Sequence, residues 1–150
     1  MRILGLDYGD KTVGVAISDP FGWTAQGVTI IRRNNPKEYK QSIGEIRKLV
    51  EEYGVEEIVL GYPLNLDGTK SERCEKTEDY RVKLQNRFPQ IPVTLWDERL
   101  STVAAHAFLM EGGMDGRERK QVIDQMAAVY ILQGYLDYLA NQKKQEATDE

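Results

Sequence analysis

The sequence is short of the residues on which much enzyme chemistry depends. Its 150 residues include one cysteine, Cys74, and one histidine, His106. A lone cysteine excludes an internal disulfide and points to a reducing compartment. A lone histidine counts against a histidine-rich zinc cluster and against a Ser-His-Asp triad. No apolar run approaches the ~20 residues that a membrane helix needs. The first residues show no basic segment, apolar core and small-residue cleavage site in series, so a cytoplasmic protein with no membrane association is expected. Positive charge is not in excess either. Twenty Lys and Arg stand against 24 Asp and Glu, a net charge of −4. A nucleic-acid partner would therefore be held by a metal ion or a local basic patch, not by the overall field. Polar chemistry must rest on carboxylates.

What is present is ordinary globular composition, 41% hydrophobic and 29% charged, in a chain of one-domain length. Residues 2–8 and 12–18 read as strands joined by a tight hairpin at Asp10-Lys11, and 24–33 as a third strand. Asn35-Pro36 reads as a helix cap and first-turn proline. Ile43, Ile46, Leu49, Val50 and Tyr53 then recur at helical spacing up to Gly54, a C-terminal stop. Residues 57–61 form a short buried strand, followed by a loop over 62–68. Thr69 with Glu72 matches a capping box for a polar helix reaching Phe88. Residues 92–96 form a last strand. Two helices follow, about 101–111 and 118–140, separated by a loop at Gly112-Gly113. The domain spans 1–140, and the polar tail 141–150 is expected to be disordered. The order β-β-β-α-β-α-β-α-α predicts a mixed α/β sheet of five strands, three antiparallel and two added in parallel by right-handed crossovers.

Asp7 ends the apolar run Ile3-Leu4-Gly5-Leu6, where a carboxylate is costly without a partner, a metal or a proton. Gly5 and Gly9 leave room for close approach to the backbone. Asp97-Glu98 ends the last strand, and ligands bind at that end of neighbouring strands in open α/β sheets. Asp124 opens the final helix, whose small Ala127-Ala128 permits close packing on the sheet. Clustered carboxylates without histidine favour Mg²⁺ or Mn²⁺. Two such ions about 4 Å apart serve in-line phosphodiester hydrolysis. Plainer roles stand beside each acid: a turn for Asp7, pairing with Arg99 for Asp97 or Glu98, and pairing with Lys120 for Asp124.

The run Leu4-Gly5-Leu6-Asp7-Tyr8-Gly9-Asp10-Lys11 followed by Gly14-Val15-Ala16-Ile17-Ser18-Asp19-Pro20 resembles the opening of the YqgF family, also called RuvX. So do Gly61-Tyr62-Pro63 with Gly68, Asp97-Glu98-Arg99-Leu100-Ser101-Thr102, and Lys120 to Asp124 with Ala127-Ala128 and Ile131-Leu132. The motifs come in order over residues 2–136. The resemblance implies an RNase H-like fold and a metal-dependent endonuclease. Its substrate would be the 5′ end of the small-subunit (16S) rRNA precursor within pre-ribosomal particles, or a Holliday junction. It maps catalytic and metal-binding acids onto Asp7, Glu98 and Asp124, with Asp97 as a fourth candidate. Thr12 departs from an arginine common in the family.

Candidates for binding structured RNA or branched DNA are Lys11, Arg99 and the cluster Arg117, Arg119 and Lys120. Solvated charge or ion pairing is the alternative for each. Thr102 reads as a carboxylate partner or a helix cap, and Tyr62 and Asn65 border the loop. His106 and Cys74 carry no assigned role, and Tyr130, Tyr135 and Tyr138 read as core or interface aromatics. A phosphotransferase is disfavoured because its architecture needs two such domains. A nucleic-acid-binding module of weak activity remains open, as does the choice between monomer and homodimer.

Overall fold

Strand-forming Ile, Val and Leu dominate the first 18 residues, and they build the middle of the sheet. The computed structural model describes residues 1–35, 38–99 and 116–149, with the side chains of 116–125 and 148–149 excepted. Its strands are β1 (Arg2–Tyr8), β2 (Thr12–Ser18), β3 (Ala25–Arg32), β4 (Val55–Tyr62) and β5 (Val93–Asp97). The sheet order is β3-β2-β1-β4-β5. Strands β1–β2 and β2–β3 pair antiparallel, while β1–β4 and β4–β5 pair parallel. This is the mixed sheet predicted from the pattern.

Helices α1 (Lys40–Tyr53) and α2 (Glu72–Arg87) cover one face, and α3 (Gly116–Asp149) crosses the other. The alternation along β1 divides its side chains between two cores. Leu4, Leu6 and Tyr8 join Val13, Val15, Ile46, Ile58, Leu60, Tyr80 and Leu84 beneath α1 and α2. Ile3 joins Ala16, Val59, Ala128, Ile131, Leu132, Tyr135 and Leu136 beneath α3. Gly5 is what lets α3 descend. A Cβ there would lie 2.7 Å from Leu132 Cβ and 3.3 Å from the Ala128 carbonyl oxygen. The expected use of Gly5 for ligand approach is thus corrected: helix packing occupies that space.

Several boundaries also differ. α1 starts at Lys40, not at Asn35-Pro36; Asn35 O instead accepts from Glu38 N in a turn, and Tyr39 is the N-cap. Gly54 ends α1 in the left-handed conformation, φ 63°, as its type predicts. The capping box does not form. Thr69 turns back to Asp67, its hydroxyl donating to Oδ1 at 2.6 Å, and Ser71 is the N-cap of α2. α3 continues past Ala140 to Asp149 where a disordered tail is predicted from polarity. Gln, Lys, Glu and Ala in that stretch are good helix formers, although the described side chains there are exposed. The predicted helix 101–111 and the loop at Gly112-Gly113 lie outside the described residues. Among the described residues, no helix is long and apolar enough to cross a membrane.

Two glycine substitutions separate packing from propensity. Gly5→Val should destabilise the protein by about 2 kcal/mol or more through overpacking against α3. Gly44→Ala, inside α1 with open space around it, should stabilise by about 0.5–1 kcal/mol. Urea denaturation of the two variants measures both, and equal effects would refute the packing role of Gly5.

Candidate active site

Asp7 is half-buried on the α3 face of β1, in line with Ile3 and Gly5. Leu6 is paired with Leu60, so the next step of the parallel register sets Asp7 beside Gly61. On its other side Gly61 pairs with Trp96, one residue before the end of β5. Glu98 follows directly, its amide donating to Tyr62 O at 3.3 Å. A Cβ on Gly61 would run into Glu98 Oε2 and Ile131 Cδ1. The bare backbone of β4 is therefore the floor on which the Glu98 carboxyl rests, next to Asp7.

Burial, followed by the negative charge of Asp7 and of Asp97, pushes Glu98 up to about 7, against an opposing pull from the Arg73 cation. A carboxyl whose ionisation a neighbouring carboxylate opposes suits a shared cation. An all-oxygen donor pair fits Mg²⁺ or Mn²⁺, both hard ions. Among the described residues, no group of three Asp, Glu, His or Cys is placed to hold a metal ion. Asp124 lies in α3 four residues before Ala128, the residue whose carbonyl overlies Gly5. The side chains of Asp124, Arg117, Arg119 and Lys120 lie outside the described residues, so the structure brings together two of the three predicted acids.

Asp97 points its carboxylate elsewhere. Arg99 donates to its Oδ2 from Nε at 2.8 Å and from Nη2 at 2.7 Å, and the Arg99 amide donates to Oδ1 at 3.1 Å. Burial pushes the Asp97 carboxyl up, but the hydrogen bonds and charge of Arg99 outweigh it and hold the group below its usual range. The geometry favours the ion-pair reading of Arg99 over the phosphate-clamp reading, and it turns Asp97 away from a ligand role. Lys11 is exposed in the β1–β2 turn. Tyr62 donates its hydroxyl to Glu78 Oε1 at 2.6 Å, and Lys70 Nζ reaches the same oxygen at 3.2 Å. Asn65 Nδ2 donates to Thr69 Oγ1 within the loop. Cys74 is fully buried. Tyr135 is a core residue, edge-on to Trp96, while Tyr138 is 45% exposed beside it. Thr102 and His106 lie outside the described residues.

Two arginines that the sequence reading passed over brace the strand end carrying Asp7. Arg33 is buried, stacks over the Tyr8 ring at 4.5 Å, and donates through Nη1 to the carbonyls of Gly9 and Asp10. Arg73, in the first turn of α2, donates through Nη2 to Tyr8 O at 2.6 Å. Neither stands in a motif. The only sequence signal for Arg73 is a cation at the positive end of a helix dipole, where acids are favoured.

Comparison with known proteins bears on the family and the fold. Residues 1–138 match the family model described as RuvX: Holliday junction resolvase. A protein of Agathobacter rectalis named "Putative pre-16S rRNA nuclease" is 52% identical over 143 residues, covering 95% of this chain and 99% of the relative. A protein of the same name from Desulfitobacterium hafniense is 51% identical over 145 residues, covering 97% and 98%. Among solved structures, RuvC of T. thermophilus in complex with a Holliday junction substrate superposes with a TM-score of 0.57. It is 13% identical, with 91% of this chain and 94% of RuvC covered. A second structure of Thermus thermophilus RuvC gives a TM-score of 0.53 at 13% identity, with 94% of this chain and 97% of that chain covered. The fold is therefore the RNase H-like one of RuvC.

The raised Glu98 carboxyl sets a sign for stability against pH. Below about pH 4.5 the group is protonated in both the folded and unfolded chain and contributes nothing. Between there and about pH 7 the folded chain keeps a proton that the unfolded chain gives up, so stability falls as pH rises. Glu98→Gln, which mimics the protonated form, should leave stability unchanged at pH 4. At pH 8.5 without divalent metal it should raise stability by about 2 kcal/mol. Denaturant melts of both proteins at the two pH values measure this, and a gap independent of pH would contradict it.

Proposed function

The chain belongs to the RuvX family, and on that footing we propose that it is a metal-dependent endonuclease of 16S rRNA precursor 5′-end processing. The supporting observation is the Asp7–Glu98 pair, crowded on one sheet face at the C-terminal ends of parallel strands. Asp7, Glu98 and Asp124 would hold Mg²⁺ or Mn²⁺, one ion or two. A bound divalent cation supplies charge neutralisation at the phosphate and a water of lowered pKa. The protein's own contribution is geometric. Gly61 keeps the Glu98 carboxyl low on the sheet, Gly9 leaves the backbone bare at the strand end, and Arg33 fixes the turn after Asp7. Arg99 absorbs the charge of Asp97, so one fewer negative group faces an incoming phosphodiester. Lys11 and the α3 cluster Arg117, Arg119 and Lys120 would hold the nucleic-acid backbone, offsetting the acidic net charge. The working place is the cytoplasm, on pre-ribosomal particles, as a single-domain monomer or homodimer.

Cleavage of branched DNA is the second reading, favoured by the description of the family model. Purified protein with Mg²⁺ or Mn²⁺ should shorten the 5′ extension of a 16S precursor transcript and leave a four-way DNA junction largely intact. Asp7→Asn should lower the rate by more than about 100-fold, beyond the range typical for outer-shell partners of a metal. Preferred cleavage of the junction would overturn the RNA assignment. Equal rates for wild type and Asp7→Asn would overturn the carboxylate mechanism.

A further inference from the structure

Arg73 lies in the first turn of α2, between Glu72 and Cys74, after the N-cap Ser71. Helix physics gives no reason for a cation there, since the N-terminal turn favours negative charge. Glu72 and Glu75 satisfy that preference. The side chain instead leaves its own helix and crosses to the end of β1, 65 residues away in sequence, where Nη2 donates to Tyr8 O at 2.6 Å. Tyr8 separates Asp7 from Gly9. The same nitrogen would lie 3.4 Å from a Cβ on Gly9, so the guanidinium borders that glycine at van der Waals distance. Its charge also acts on Glu98. Arg73 is exposed, and among the described residues Tyr8 O is the one hydrogen-bond partner of its side chain. One of its five N–H donors is thus engaged at the strand end that carries the acids.

We propose that Arg73 is a catalytic residue that binds a non-bridging oxygen of the phosphodiester lying at Asp7 and Glu98. The assignment rests on the nuclease reading above. Three features support it. Arginine's planar fork matches two phosphate oxygens, and one of its N–H groups is committed to backbone, which fixes the direction of the rest. Arg99, the arginine nearest the acids in sequence, is already taken by Asp97. Of the other cations near the turn, Lys76 is paired with Asp10 at 3.6 Å. A guanidinium placed this way adds positive charge at the phosphate without occupying a metal ligand position.

A purely structural Arg73, tying α2 to β1, is separable by experiment. Arg73→Gln keeps an N–H donor for Tyr8 O and removes the charge. Arg73→Lys keeps the charge without the fork. Single-turnover cleavage of the 16S precursor transcript at saturating Mn²⁺ should fall about 100-fold for Arg73→Gln, the scale of losing one positioned electrostatic donor. Arg73→Lys should recover part of that loss. Mn²⁺ affinity by calorimetry should be no weaker than wild type in either variant. The salt dependence of transcript binding should lose about one unit of slope in Arg73→Gln, one phosphate contact. Wild-type rate and salt slope in Arg73→Gln would overturn the assignment and leave the nuclease reading intact. Absence of cleavage by the wild-type protein itself, on RNA and on junctions, would overturn that reading and this role together.

Discussion

Two carboxyls held against each other over a glycine are the constraint from which the rest of this structure can be read. Glu98 sits on the bare backbone of β4 at Gly61, with Asp7 in the next strand. The arrangement opposes ionisation at Glu98 and so weakens the metal-free fold at neutral pH. A protein keeps such an arrangement where the unfavourable pair has a use. The parallel pairing of β1, β4 and β5 makes it possible, because it ends all three strands at one edge of the sheet. A single side chain at position 61 would abolish the arrangement.

The surroundings hold that edge still. Arg33 stacks on Tyr8 and gathers the carbonyls of Gly9 and Asp10, while its own amide donates to Lys11 O at 2.8 Å. Tyr8 in turn stacks on Tyr80 with ring centroids 4.1 Å apart, which anchors the hairpin in the core beneath α2. Below the site, Gly5 admits α3 onto β1 at close range, so the helix that carries Asp124 is seated by the same strand that carries Asp7. The loop after β4 is fixed by Asp67 and Asn65, each bonded to Thr69. Catalytic geometry of this kind needs rigid support more than strong individual bonds.

Much of this was legible in residue pattern. Alternation of apolar residues located the strands, and the β-hairpin followed by strand–helix–strand units gave the mixed sheet. Asp7 stood out because a carboxylate ending an apolar run needs a reason, and Glu98 because it ends the last strand. Legibility stopped where one residue type serves several purposes. Gly5 and Gly61 look alike in sequence, yet one admits a helix and the other a carboxylate. Asp97 and Glu98 are neighbours, and only the direction of the chain leaving β5 decides which of them meets Asp7 and which meets Arg99. Thr69 fits the capping pattern but is drawn off by Asp67, a competition between local hydrogen bonds that no pattern resolves. Arg73 reads as one more charge on a polar helix, because its contact with Tyr8 depends on the crossing of α2 over β1.

A crystal soaked in Mn²⁺ and measured for anomalous scattering tests the central claim most directly. The predicted result is a peak bound by both Asp7 and Glu98, at about 2.1 Å from each carboxylate oxygen, and lost in Asp7→Asn. Manganese held elsewhere, or none at all with the two carboxyls turned apart, would contradict it.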